Sequence, residues 1–104
     1  MKIKNRSLEE LEELSQRIRD RIIDVVSRKG GHFSSTLGAV ELTVGMHYVF
    51  DSCEDPFIFD VSHQCYPHKL ITGRWEEFET IRQFNGLSGF TKPKESECDY
   101  YKGT

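Results

Sequence analysis

The sequence predicts an α/β protein, present here as a mostly helical, incomplete part of a parallel-sheet domain. Three observations carry that expectation. Leu8, Leu11, Leu14, Ile18, Ile22, Val25 and Val26 recur at steps of three and four, which marks one buried helical face. Phe57-Ile58-Phe59-Asp60-Val61 is a short, bulky, nearly all-apolar run, the pattern of a parallel strand covered on both faces. That run breaks into Ser62-His63-Gln64 and then Pro67. Strand, polar loop and helix in this order deliver side chains to the carboxyl edge of a sheet, where ligands bind in open α/β folds. A lone strand cannot satisfy its own backbone hydrogen bonds, so its sheet is expected outside these residues.

The elements follow in order. Ser7-Leu8-Glu9-Glu10 fits a capping box, in which the Ser7 hydroxyl and the Glu10 carboxylate satisfy the first free amides. A helix from Leu8 to about Ser27 carries glutamates at its amino end and Arg28-Lys29 at the other, matching the helix dipole. Gly30-Gly31 ends it, because glycine readily takes the left-handed conformation of a carboxyl cap. After the loop His32-Phe33-Ser34-Ser35-Thr36, a second helix runs through Leu37, Val40, Leu42, Val44, Met46 and Val49. It is apolar on most sides, as helices interior to a larger assembly are. Pro67 suits a first helical position, and Gly73 closes the brief helix that it opens. Trp75, Phe78 and Ile81, at steps of three, predict a further helix over 74–84. The tail, 91–104, interleaves Lys92, Lys94 and Lys102 with Glu95, Glu97 and Asp99 and reads as solvated.

Composition narrows the class. With 37% hydrophobic and 30% charged residues over 104 positions, the chain reads as soluble and globular, at most one domain. A net charge of −3 leaves no basic face for nucleic acid, and no apolar run reaches the ~20 residues of a membrane span. The amino terminus is not read as a signal peptide. Cys53, Cys65 and Cys98 are odd in number and lack C-x-x-C spacing, which argues against a disulfide framework and for a reduced, cytoplasmic setting.

Two histidine loops are the candidate site: Gly30-Gly31-His32 and Ser62-His63-Gln64. Histidine suits proton transfer near neutral pH and also binds phosphate or metal. Glycines before His32 permit close backbone approach to a ligand. A zinc site from His63, Cys65 and His68 lacks a clear fourth ligand. His47 is expected as a core or interface histidine with one bonded nitrogen. Among Ser34, Ser35 and Thr36, a helix cap and a phosphate donor are both open.

Several stretches together resemble one family. Residues 23–32 (IDVVSRKGGH), 37–43 (LGAVELT), 60–69 (DVSHQCYPHK), 72–74 (TGR) and 87–90 (LSGF) are similar, in order, to the amino-terminal region of 1-deoxy-D-xylulose-5-phosphate synthases. That family is transketolase-like and thiamine-diphosphate-dependent, and the resemblance runs from about Leu8 to Thr104. It implies a condensation of pyruvate with D-glyceraldehyde 3-phosphate with loss of CO2, using thiamine diphosphate and Mg2+. It implies that His63 contacts the cofactor near its diphosphate and that His32 lies at the reacting centre. Residues 1–104 would be the amino-terminal portion of the diphosphate-binding domain, with 1–7 and 91–104 expected to be flexible. The family's magnesium motif and catalytic glutamate domain are not among these residues, so the chain is expected to be inactive alone. The remainder of the synthase chain and a homodimer are the partners implied. A non-catalytic interaction subunit or a decayed paralogue is the alternative. Ser62 stands where the family usually has glycine, which would strain a backbone that needs positive φ.

Overall fold

A capping box starts the longest helix. In the computed structural model, which describes residues 3–30, 34–59 and 62–100 (side chains at 34, 35, 62 and 63 excepted), Ser7 Oγ accepts from the Glu10 amide. The Glu10 carboxylate accepts in return from the Ser7 amide at 3.0 Å. Helix α1, Leu8–Arg28, then buries Leu14, Ile18, Ile22, Val25 and Val26, while Leu8 at its exposed start stays in solvent. Gly30, at φ +72°, turns the chain away as expected.

The apolar stretch that follows divides into α2, Ser34–Gly38, and α3, Val40–Val49. Helix α3 packs on α1 through Val40 and Val44, and an Arg19–Glu41 ion pair joins the two helices. A 3₁₀ turn, Ser62–Cys65, leads directly into α4, Tyr66–Ile71, with Pro67 in the first helical turn. Gly73 at φ +96° ends α4. Tyr66, Leu70 and Ile71 join Phe78, Ile81 and Leu87 against the stripe of α1 to complete the core. Each such side chain contributes roughly 1.5–3 kcal/mol when fully buried.

Two expectations are corrected. No strand occurs among the described residues, and 57–59 has no regular secondary structure. Phe57 is buried, Ile58 is half exposed and Phe59 is intermediate, so one face is covered and not two. The apolar run packs on histidine rings instead: Phe57 lies 4.9 Å from His47, and Phe59 lies 5.5 Å from His68. Asp60 and Val61 lie outside the described residues. The parallel sheet of the expected α/β class is therefore not seen in this helical unit.

The helix expected over 74–84 is a single 3₁₀ turn, Glu77–Thr80. Phe78 and Ile81 are nevertheless buried and Trp75 is partly so. Steps of three are the period of a 3₁₀ turn as much as of one α-helical face, which is why the buried positions agree and the element does not. Arg82 and Asn85, at φ +61° and +60°, make continuation as a helix impossible. Gly86 fits the ensuing turn because a Cβ there would lie 2.1 Å from the Thr80 carbonyl oxygen.

Candidate functional site: two histidine segments and a buried ionic cluster

The first predicted site residue, His32, lies outside the described residues. His63 is described in its backbone alone, as the second residue of the 3₁₀ turn. Helix α2, which begins two positions after His32, packs against that turn. The described contact is therefore between α2 and the turn that carries His63. Ser62 opens the 3₁₀ turn, where φ is ordinarily about −50 to −70° and no glycine is needed.

The polar centre of the described structure is a different histidine. His68, the third residue of α4, is fully buried. Its Nδ1 lies 3.0 Å from His47 Nε2, and its Nε2 lies 3.0 Å from Asp99 Oδ1 and 3.1 Å from the Cys98 carbonyl. Two acceptors at Nε2 require a proton there. The neutral form of His68 then presents Nδ1 as acceptor to a proton on His47 Nε2. Burial, then the neighbouring His68, pushes the His47 pKa down to about 4. His47 keeps one nitrogen bonded, as expected, and its ring forms part of the wall of a cavity of about 570 Å³ beside Lys4, Ser52 and Thr72.

Around this pair, charges are matched within the fold. Arg74 grips Asp99 with both terminal nitrogens at 2.7 Å, and Nη1 also reaches Glu95 at 3.0 Å. The fully buried Lys69 donates to Glu95 at 2.6 Å. The Ser88 and Lys92 amides, both at 2.8 Å, donate to Glu95 and Asp99. Burial opposes ionisation of Asp99, yet the bonds from His68, Arg74 and the Lys92 amide hold its carboxyl well below the usual range. Glu95 is lowered against burial in the same way, by Lys69 and the Ser88 amide. The cluster ties 88–99 onto α4, so Asp99 is not part of a solvated tail.

The cysteines also differ from expectation. Cys53 and Cys98 are joined by a disulfide spanning 45 positions, because the tail folds back over the turn at 51–55. The Tyr100 hydroxyl donates to the Cys53 carbonyl at 2.7 Å in the same contact. Cys65 is free, buried and directed at the Gly89 carbonyl, and burial pushes its thiol up to about 12. Both ring nitrogens of His68 are engaged within the fold, which leaves it no free nitrogen for the zinc site weighed from His63, Cys65 and His68. No group of three metal-ligating side chains converges among the described residues.

The sequence reading missed His68, Lys69, Arg74, Glu95 and Asp99 as a unit. A usable signal was present, since three cationic or titratable side chains crowd 68–74, within and just after a six-residue helix, and need anionic partners from elsewhere.

The fold and cluster define a small helical unit organised round a buried histidine–carboxylate network, a class wider than any one activity. Comparison with known proteins narrows it. A family model described as 1-deoxy-D-xylulose-5-phosphate synthase matches residues 1–104. The chain is 82% identical over 101 residues to the 1-deoxy-D-xylulose-5-phosphate synthase of Aliarcobacter butzleri, covering 97% of this chain and 17% of that protein. It is 71% identical over 101 residues to the synthases of a Nitratiruptor species and of Wolinella succinogenes, again covering 97% of this chain and 17% and 16% of theirs. The chain belongs to the 1-deoxy-D-xylulose-5-phosphate synthase family, and it spans about a sixth of the length of these relatives.

Proposed function

We propose that this chain serves a synthase that condenses pyruvate with D-glyceraldehyde 3-phosphate, with loss of CO2, toward isoprenoid precursors. Residues 1–104 act as the amino-terminal portion of its diphosphate-binding domain, in the cytoplasm and within a homodimer. The observation that carries this reading is the family match over the whole chain. The packing of α2 on the 3₁₀ turn supports it, because it draws together the segments that follow His32 and carry His63.

Thiamine diphosphate, when bound, supplies the electron sink for decarboxylation. His63 is assigned to hold the cofactor's diphosphate, as an imidazole N–H donor. His32 is assigned to hold or move a proton at the reacting centre, which a ring titrating near neutrality can do. A basic cavity at the end of α1 fits a phosphoryl-bearing ligand. Mg2+ finds no three-ligand set among the described residues, so no step is assigned to it here. The chain by itself is inactive on this reading.

The test has two arms. The 104-residue chain mixed with pyruvate, D-glyceraldehyde 3-phosphate, thiamine diphosphate and Mg2+ is expected to give no turnover, and turnover above background overturns its inactivity alone. In the synthase containing this chain, His32→Ala is expected to lower kcat by about 10²–10⁴, the usual size of an acid–base contribution. His63→Ala is expected to raise the KM for thiamine diphosphate. Unchanged kinetics in both variants would overturn the assignments. A second reading, a non-catalytic interaction subunit, is favoured by one observation: α3 turns Leu42 and Val49 outward.

A further inference from the structure

We propose that Cys53 and Cys98 form a reversible redox site, a strap that pins the end of the tail on the turn after α3 when oxidised and frees it when reduced. The bond joins the turn at 51–55 to the segment that the buried cluster holds on α4, across 45 positions. Cys53 is exposed and Cys98 is half-buried, so a small thiol reaches the Cys53 sulfur from solvent. Exposed disulfides are the labile ones, whereas structural disulfides resist reduction by the glutathione pool. The fold does not depend on the bond. His68, Lys69 and Arg74 hold Asp99 and Glu95 in the interior, and these contacts keep 88–99 on α4 with the sulfurs apart. Cys65 stands outside this chemistry, because it is fully buried, its thiol is pushed up to about 12, and the thiolate is the reacting form.

What the strap controls is the cavity of about 570 Å³ beside His47. Cys98 stands in its wall, as do Asp51 and Ser52 from the turn that Cys53 belongs to. The oxidised pair thus joins two walls of one cavity, and its opening lets them part. The Tyr100 hydroxyl, bonded to the Cys53 carbonyl, lies in the same contact. Cys98 is also wired to the histidine pair. Its carbonyl accepts from His68 Nε2 at 3.1 Å, and His68 Nδ1 meets His47 Nε2 at 3.0 Å. A displacement of Cys98 is therefore passed to the ring that borders the cavity. The chemistry is thiol–disulfide exchange. A small thiolate attacks the Cys53 sulfur, the sulfur–sulfur bond breaks, and Cys98 leaves as a thiolate that takes up a proton. A second small thiol attacks the mixed disulfide and releases Cys53 in the same way. Two electrons and two protons pass to the chain, and the small thiols leave as their own disulfide. A small disulfide reverses the sequence, so no other co-reactant is needed.

The test uses no turnover, so its outcome is independent of the synthase reading. The chain would be equilibrated with reduced or oxidised glutathione in the absence of denaturant, freed of glutathione, and tagged with a maleimide while folded. Tags counted by mass report the free thiols. Reduced glutathione is expected to leave Cys53 and Cys98 tagged and Cys65 untagged, and oxidised glutathione is expected to leave all three untagged. The oxidised chain is expected to melt at least about 10 °C above the reduced one, because the cross-link closes a long loop. On reduction the NMR resonances of 51–55, of Cys98 and of the His47 and His68 rings are expected to move, while those of α1 stay. Cys53→Ser, at an exposed position, is expected to fold and to melt with the reduced chain. Persistence of the disulfide in excess reduced glutathione, its failure to form in oxidised glutathione, equal melting of the two forms, or unmoved His47 resonances overturns the proposal.

Discussion

Helices α3 and α4 lie against each other and treat polarity in opposite ways. All six residues of α4 are buried, including His68 and Lys69. Helix α3 buries Thr43 and His47 while leaving Leu42 and Val49 about two-thirds exposed, at 67% and 65%. Sorting by hydrophobicity alone would reverse this. The difference lies in what each helix meets. Lys69 and His68 meet Glu95 and Asp99, carboxylates that are themselves hydrogen-bonded to main-chain amides. Leu42 and Val49 face solvent. Burial in this unit follows the supply of partners, and the buried charges of α4 are tolerable because almost every polar atom there is satisfied. Two buried nitrogens, Arg74 Nε beside this cluster and Arg21 Nε on α1, have no partner among the described residues.

Breaking the polar side of the comparison gives the largest expected effect. Asp99→Ala strands His68 and the Arg74 guanidinium in the interior, and removing one partner of a buried pair typically costs about 3–5 kcal/mol. The variant is expected to unfold at much lower urea than the parent. Asp99→Asn keeps the shape and some acceptor capacity and is expected to fall between the two. A midpoint for Asp99→Ala within about 1 kcal/mol of the parent would mean that the cluster does not hold the tail on α4.

His47, where the two helices meet, allows a titration of the same contact. Its folded pKa is lowered to about 4, chiefly by burial, then by His68 and Lys4, with Asp51 pulling the other way. The folded state thus prefers the neutral ring, and the unfolded chain binds the proton more readily. The contribution is complete above the unfolded value, about 6.5, and is lost as pH falls from there toward about 4. At 1.36 kcal/mol per unit, roughly 2 kcal/mol should be gone by pH 5. Urea unfolding at pH 7.5 and pH 5.0 measures it, and His47→Gln should remove most of the slope. A slope unchanged in that variant would assign the pH dependence to other groups. Asp99, whose folded pKa is also lowered, loses its contribution in the same direction but at more acidic pH.

How much of this was legible varies by element for physical reasons. Helix α1 could be read from its cap, stripe and glycine stop, because local sequence decides each of them. The buried set Phe78 and Ile81 could be read as well, although the period of three concealed a 3₁₀ turn. The 57–59 run showed its hydrophobicity but not its partner, and rings of His47 and His68 took the place of neighbouring strands. The site divides similarly. The histidine loops were proposed from residue type and order, whereas the Asp99 cluster depends on contacts spanning 25 and 31 positions that no local pattern encodes. Charge alternation in the tail pointed to solvent, since alternation records which charges are present and not which ones meet a buried cation.

The apolar side of the comparison gives the smallest effect and sharpens it most. Leu42→Lys and Val49→Lys place a charge where the helix already faces water, so each should change stability by no more than about 0.5 kcal/mol. Val44→Ala, on the same helix but only 3% exposed, removes buried methyl groups and should cost of order 2 kcal/mol. Thermal unfolding of the three variants, beside size-exclusion chromatography, separates two states of α3. If the lysine variants melt with the parent and elute with it, the outer face is uncovered in the isolated chain. If either lysine costs as much as Val44→Ala, that face is covered in solution. An accompanying shift to smaller apparent size would then identify another copy of the chain as the cover, and no shift would place the cover within the chain itself.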